Sequence, residues 1–145
     1  MAFTALDVKK LREQTGCGMM DCKKALTESD GDFDKAVEYL REKGLAAAAK
    51  KAGRIAAEGM VYAAADVANK VGVVIEVNAE TDFVAKNDSF QTFVKEVADV
   101  VMAQNPADVE ALMACKLGEQ TVEAALQEKI LVIGENIKIR RFARF

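Results

Sequence analysis

Met60-Val61-Tyr62-Ala63-Ala64-Ala65-Asp66-Val67 and Val71-Gly72-Val73-Val74-Ile75-Glu76-Val77 are two runs rich in β-branched residues, separated by Ala68-Asn69-Lys70. Runs of this kind fit a pleated, half-buried surface, and the short break between them reads as a hairpin turn. Downstream, the cap sequence Asn87-Asp88-Ser89 introduces a long helix, with Phe90, Phe93, Val94, Val97 and Val101 spaced to share one face. Asn105-Pro106 is expected to open a short helix through Met113, with proline at the tolerated first position. A further amphipathic helix is expected from Thr121 to Ile133, stopped by Gly134. Asn136 to Arg144 then alternates as a strand, Ile137 and Ile139 pointing one way and Lys138 and Arg140 the other. Residues 59–145 therefore read as an α+β module: a small antiparallel sheet of about three strands with helices on one face.

Upstream of Gly59 the periodicity is helical. Thr4 followed by Asp7 has the form of a capping box, and Gly16 ends the first helix. A second helix is expected from Met19 to Glu28, closed by Ser29-Asp30-Gly31. Asp32 caps a third, with Phe33, Val37 and Leu40 on one face and Gly44 as its stop. Residues 1–44 thus read as a small three-helix bundle resembling the ubiquitin-associated fold. Residues 45–58 are alanine-rich and carry Lys50, Lys51 and Arg54, which predicts a helical connector with a solvated basic face.

The chain has 145 residues, 51% apolar and 30% charged, which is ordinary for a globular protein. Its net charge of −3 provides no global basic field for nucleic acid or an anionic membrane. The opening MAFTALDVKK has no apolar run suited to a signal peptide, and no stretch approaches a membrane span, so a cytoplasmic protein is expected. Histidine is absent, which removes Ser-His-Asp and Cys-His catalysis and histidine-ligated metal. Cys17, Cys22 and Cys115 lack CxxC spacing and are expected as buried, reduced thiols rather than a zinc site. No cofactor is implied.

Two segments stand out. In Leu11-Arg12-Glu13-Gln14-Thr15-Gly16-Cys17-Gly18-Met19-Met20-Asp21-Cys22-Lys23-Lys24-Ala25-Leu26, glycines bound a tight turn and two methionines open the next helix. Successive helical positions diverge by about 100°, so Met19 and Met20 cannot both enter one small core. Spacing leaves open whether one faces out as a contact residue or both form a core rim. The second segment is Glu76-Val77-Asn78-Ala79-Glu80-Thr81-Asp82-Phe83-Val84-Ala85-Lys86, between a strand and the long helix, where binding residues concentrate. By propensity alone Phe83 reads as a core anchor. Glu80 and Asp82, with no third ligand or nearby nucleophile, read as solvated acids rather than a metal or acid–base pair.

Both segments resemble signatures of the bacterial elongation factor Ts family, LREQTGCGMMDCKKAL and EVNAETDFVAK, and the stretches GDFDKAVEYLREKG, AAAAKKAGRIAAEG and IGENIKIRRFARF follow in the expected order. The resemblance covers essentially the whole chain. It implies a guanine-nucleotide exchange factor rather than an enzyme, which binds elongation factor Tu in its GDP-bound and nucleotide-free forms and displaces Mg²⁺ and GDP. It assigns Thr81, Asp82, Phe83 and Val84 to the Mg²⁺ side of the partner's G domain, and Arg12, Met19, Met20 and Lys23 to another helix of that domain. Many family members carry a second core module and a coiled-coil protrusion that this sequence lacks. Its end at Arg140-Arg141-Phe142-Ala143-Arg144-Phe145 reads as a cut at a module boundary, and the pairing of compact members makes a homodimer conceivable.

Three other readings compete. A generic interaction module built on the ubiquitin-associated-like bundle leaves the second segment unexplained. A nucleic-acid accessory protein using Lys50, Lys51, Arg54, Arg140 and Arg141 conflicts with the acidic balance. A thiol enzyme at Cys17 or Cys22 lacks a base.

Overall fold

The computed structural model describes residues 3–145. Its elements run α1 (Ala5–Thr15), α2 (Met19–Glu28), α3 (Phe33–Lys51), β1 (Glu58–Asp66), β2 (Val71–Ala79), α4 (Asp82–Ala85), α5 (Asp88–Gln104), α6 (Val109–Ala114), β3 (Lys116–Leu117), β4 (Gln120–Thr121), α7 (Val122–Ile133) and β5 (Lys138–Arg144). The chain divides into two compact units: residues up to Lys51 with Gln127–Gly134, and Ala52–Leu126 with Glu135–Phe145. The mixture of helices and one three-stranded antiparallel sheet is the α+β class expected from the sequence.

In the helical unit, local chemistry sets each boundary. The Thr4 hydroxyl accepts the Asp7 N–H at 3.3 Å while the Asp7 carboxylate accepts the Thr4 N–H at 2.8 Å, a reciprocal cap on α1. Gly16 closes α1 at φ 72°, where its N–H reaches the Arg12 carbonyl at 2.8 Å. The Asp32 carboxylate caps α3 through the Lys35 N–H at 3.1 Å. Val8, Leu11, Cys17, Cys22, Ala25, Leu26, Ala36 and Leu40 form the buried centre, with Phe33, Val37 and Leu131 packed against it. Gly44 does not stop α3. The helix continues through the alanine run to Lys51, and a Cβ at Gly44 would lie 3.3 Å from the Gln127 carbonyl oxygen. The glycine serves close approach of the α7 backbone rather than termination. Residues 52–57 leave the helix, so the connector is helical only in its first half.

In the α+β unit, β2 is the middle strand of the order β1-β2-β5, antiparallel to both neighbours. Val73, Ile75, Val77 and Ala79 alternate onto the face covered by α5 and are buried there with Phe90, Phe93, Val94, Val97 and Val101. The opposite face carries exposed Val61 and Val74 beside Glu76 and Arg141. Asp66 closes the hairpin by accepting the Asn69 N–H at 3.1 Å and its side-chain amide at 2.8 Å, which leaves Val67 in the turn rather than in the strand.

Three expectations need correction here. Pro106 does not open α6: Asn105 caps the end of α5 at φ 48°, and Asp108 starts α6 by accepting the Ala111 N–H at 2.8 Å. The short hairpin β3–β4 has no β-branched run to announce it. The alternation in β5 breaks at a bulge opposite Glu76 and Val77, so consecutive Arg140 and Arg141 both reach Glu76, at 4.0 and 2.8 Å.

Two stability measurements test this account. Leu26→Ala, at a site with no solvent exposure, is expected to cost about 2–5 kcal/mol in urea unfolding. Hydrogen bonds from the Thr4 backbone and then its side chain hold the Asp7 carboxyl below its ordinary value. Asp7 therefore stabilises the fold above the unfolded-state value and loses that effect as pH falls through the lower folded-state value. Thermal melts of Asp7→Asn should show a deficit at neutral pH that closes in acid; an equal deficit at both ends would contradict the assignment.

Candidate functional site

The Thr81-Asp82-Phe83-Val84 segment follows directly from the end of β2. Thr81 is the N-cap of the single turn α4, its hydroxyl accepting the Val84 N–H at 3.4 Å. That turn, in the segment the sequence placed only between a strand and the long helix, fixes the direction of the residues it carries. Phe83 is 82% exposed, so it is not a core anchor. Asp82 is also exposed and lies 4.0 Å from Lys86 across one helical turn, a pairing that adds little in water. Val84 is half-buried.

Glu80 departs from the solvated acid expected. Its carboxylate accepts the Asn136 N–H at 2.7 Å and lies 3.6 Å from the Arg54 guanidinium. Glu135 answers from the other side: one oxygen accepts the N–H groups of Glu80 at 3.1 Å and Thr81 at 3.0 Å, the other the Thr81 hydroxyl at 2.7 Å. The buried Asn136 side chain donates to the Arg54 carbonyl at 2.8 Å. Sequence reasoning singled out none of Glu135, Asn136 or Arg54 for this place. The available signal was the polar Glu135-Asn136 pair between a helix-stopping glycine and a strand, which gives no hint of partners more than fifty positions away. With Glu80 committed to these bonds, the Glu80–Asp82 pair does not form a two-carboxylate acid–base site. Among the described residues no group of three or more Cys, Asp or Glu is placed to hold a metal ion.

The helical unit holds the second set. Cys22, Ala25 and Leu26 turn inward on α2, which leaves Met20, Lys23, Lys24 and Thr27 on its outer face. Met20 is 73% exposed and Met19 45%, so both methionines reach solvent. Met20 and Lys23 share a shallow hollow of about 480 Å³ with Asp21, Lys24, Thr27 and Lys43. Arg12 is exposed on the last turn of α1 and does not line that hollow.

Cys17 and Cys22 are buried and free, and burial pushes both thiols up from their ordinary value. A raised thiol is poorly ionised and a weak nucleophile, which argues against thiol chemistry at either position. No helix among the described residues is long and apolar enough to cross a membrane.

These features define an α+β chain with a helical unit ahead of it, presenting apolar side chains to water at two places framed by charged residues. Residues 80–145 match the family model described as Elongation factor TS. The chain is 59% identical over its whole length to an elongation factor Ts of Trichlorobacter lovleyi and 54% identical, again over its whole length, to one of Alkalilimnicola ehrlichii, covering 48% and 50% of them. It is 59% identical over 99% of its length to an elongation factor Ts of Clostridium perfringens, covering 48% of it. Over its whole length the chain is similar to elongation factor Ts proteins, and it spans about half the length of these relatives.

Thiol labelling under native conditions should modify half-buried Cys115 first, with Cys17 and Cys22 reacting only at the rate of unfolding. Fast modification of either buried thiol in the folded chain would contradict the inert assignment.

Proposed function

We propose that this chain is a guanine-nucleotide exchange factor for elongation factor Tu, acting in translation elongation by binding rather than by bond-making chemistry. The observation that carries the reading is Phe83, an aromatic 82% exposed on a capped turn inside one of the two motifs that carry the family resemblance. A bulky apolar side chain held in water gains free energy only when a partner covers it. In this reading Thr81, Asp82, Phe83 and Val84 enter the partner's G domain on the Mg²⁺ side, with Phe83 as the wedge and Asp82 beside it. Arg12, Met19, Met20 and Lys23 hold the helical unit against another helix of that domain, exposed Met19 and Met20 supplying adaptable contact and the basic groups orientation.

Magnitudes decide how the work is shared. Inverting a population from 1:99 to 99:1 takes about 5.5 kcal/mol of differential affinity. Burying one Phe contributes roughly 1.5–3 kcal/mol. Phe83 therefore cannot drive exchange alone, and the remainder comes from the other contacts. Linkage requires GDP and the exchange factor to weaken each other's binding by one common factor. No covalent intermediate enters, in keeping with a chain that has no histidine.

The test is release of a fluorescent GDP analogue from elongation factor Tu with this chain or its Phe83→Ala variant. Strong acceleration by the parent chain and a loss of roughly tenfold or more in the variant, equivalent to about 1.4 kcal/mol, is the expected result. Equal acceleration by both would remove Phe83 from the mechanism, and no binding by either would remove the function.

A further inference from the structure

The reciprocal bonding of Glu80 and Glu135 is more than a chain crossing. We infer that Glu135 is the positioning residue of the Thr81–Val84 turn, and that with Glu80 it forms a two-carboxylate clasp that holds Phe83 in a fixed direction. The inference rests on the exchange reading for its consequence, although the clasp itself is a property of this chain alone.

The polarity of the hydrogen bonds carries the argument. Thr81 has one hydroxyl hydrogen, which goes to Glu135 Oε2 at 2.7 Å. That leaves the Thr81 lone pairs directed at the Val84 N–H, the bond that caps α4. Glu135 Oε1 simultaneously takes the N–H groups of Glu80 and Thr81, the last donors before the turn. One carboxylate thus fixes both the backbone entering α4 and the rotor state of its cap. A helix of four residues has too few internal bonds to hold its own direction, so these external bonds are what restrain it.

Glu80 completes the clasp by returning a bond to the Asn136 N–H, the residue following Glu135. Each carboxylate therefore restrains the backbone of the segment that supplies the other. Arg54 stands 3.6 Å from Glu80 and offsets part of the local negative charge, and the Arg54 carbonyl receives the buried Asn136 amide. Bonds between ionised carboxylates and N–H donors are among the stronger ones available, and the half-buried setting of Glu80 and Glu135 shields them from water. A wedge on a mobile loop would surrender ordering entropy on binding; one held in advance does not.

The experiment compares Glu135→Gln and Glu135→Ala with the parent chain by amide hydrogen exchange, and by GDP release from elongation factor Tu in a double-mutant cycle with Phe83→Ala. In the free chain, exchange at Glu80, Thr81 and Val84 should quicken on the order of tenfold or more in Glu135→Ala and less in Glu135→Gln, which keeps an acceptor. The amides of Val73, Ile75 and Val77 should keep their protection. At saturating concentration, GDP release should fall on the order of tenfold to a hundredfold in Glu135→Ala, and by little when Phe83 is already alanine.

Unchanged protection at Glu80, Thr81 and Val84 would overturn the clasp. Protection lost uniformly through β2 would overturn it too, by showing a general structural role. Additive losses in the cycle would overturn the action through Phe83. If the parent chain does not accelerate GDP release at all, the exchange reading fails on that ground, while the amide arm still decides the clasp.

Discussion

Strand β2 bonds to a neighbour along both edges, and this pairing is the constraint on which the α+β unit depends. Its residues alternate between a face packed on α5 and an open face, so a slip of one position would exchange Val73, Ile75 and Val77 for Gly72, Val74 and Glu76. Fixing that register also fixes where the strand ends. Ala79 is fully buried, and the next residues, Glu80 and Thr81, emerge beside the segment that leads into β5. The exposed turn with Phe83 therefore inherits its place from apolar packing two to six residues earlier. The bulge in β5 has a similar logic: an extra residue brings Arg140 and Arg141 together at Glu76, whose carboxyl is held below its ordinary value by the Asn78 amide first and by Arg141 next.

The helical unit solves a different problem. Two of its three leading helices are short, and it fills its interior with small and medium residues, including two thiols that act as compact apolar groups. Close approach replaces bulk. Gly44 lies against the Gln127 carbonyl, and Leu131 packs onto the same interior, so a segment from late in the chain completes a unit whose helices come from its start.

Both units leave large apolar side chains in water at points where their own packing has no use for them. Scattered apolar exposure is normal on a protein surface. What separates Met20 and Phe83 from Val67 is setting: Met20 lies in a hollow with Lys23, Lys24 and Lys43, and Phe83 on a turn held by bonds to Glu135. Local order at an exposed apolar residue is what a binding surface needs, because it limits the entropy lost when a partner arrives.

Much of this was legible in the residues. Caps at Thr4, Asp32 and Asn87, the apolar stripe from Phe90 to Val101 and the β-branched runs around Asn69 are local signals, and local signals set element type. Where two signals competed within a few residues, the sequence misled: Pro106 looked like a helix start, yet the Asp108 carboxylate made the better cap. Gly44 looked like a stop, because a sequence does not display the backbone that a glycine lets approach. The two motifs drew attention to Met20 and Phe83, but exposure depends on what the rest of the chain covers, and propensity alone placed Phe83 inside. Glu135 lies 54 positions from Thr81, and no periodicity connects them. The sequence by itself determined most of the helices and the three strands of the main sheet, but not the turn α4 or the hairpin β3–β4. Only the tertiary structure decided which acids are solvated and which are bonded, because a carboxylate's partners are set by three-dimensional proximity rather than by order along the chain.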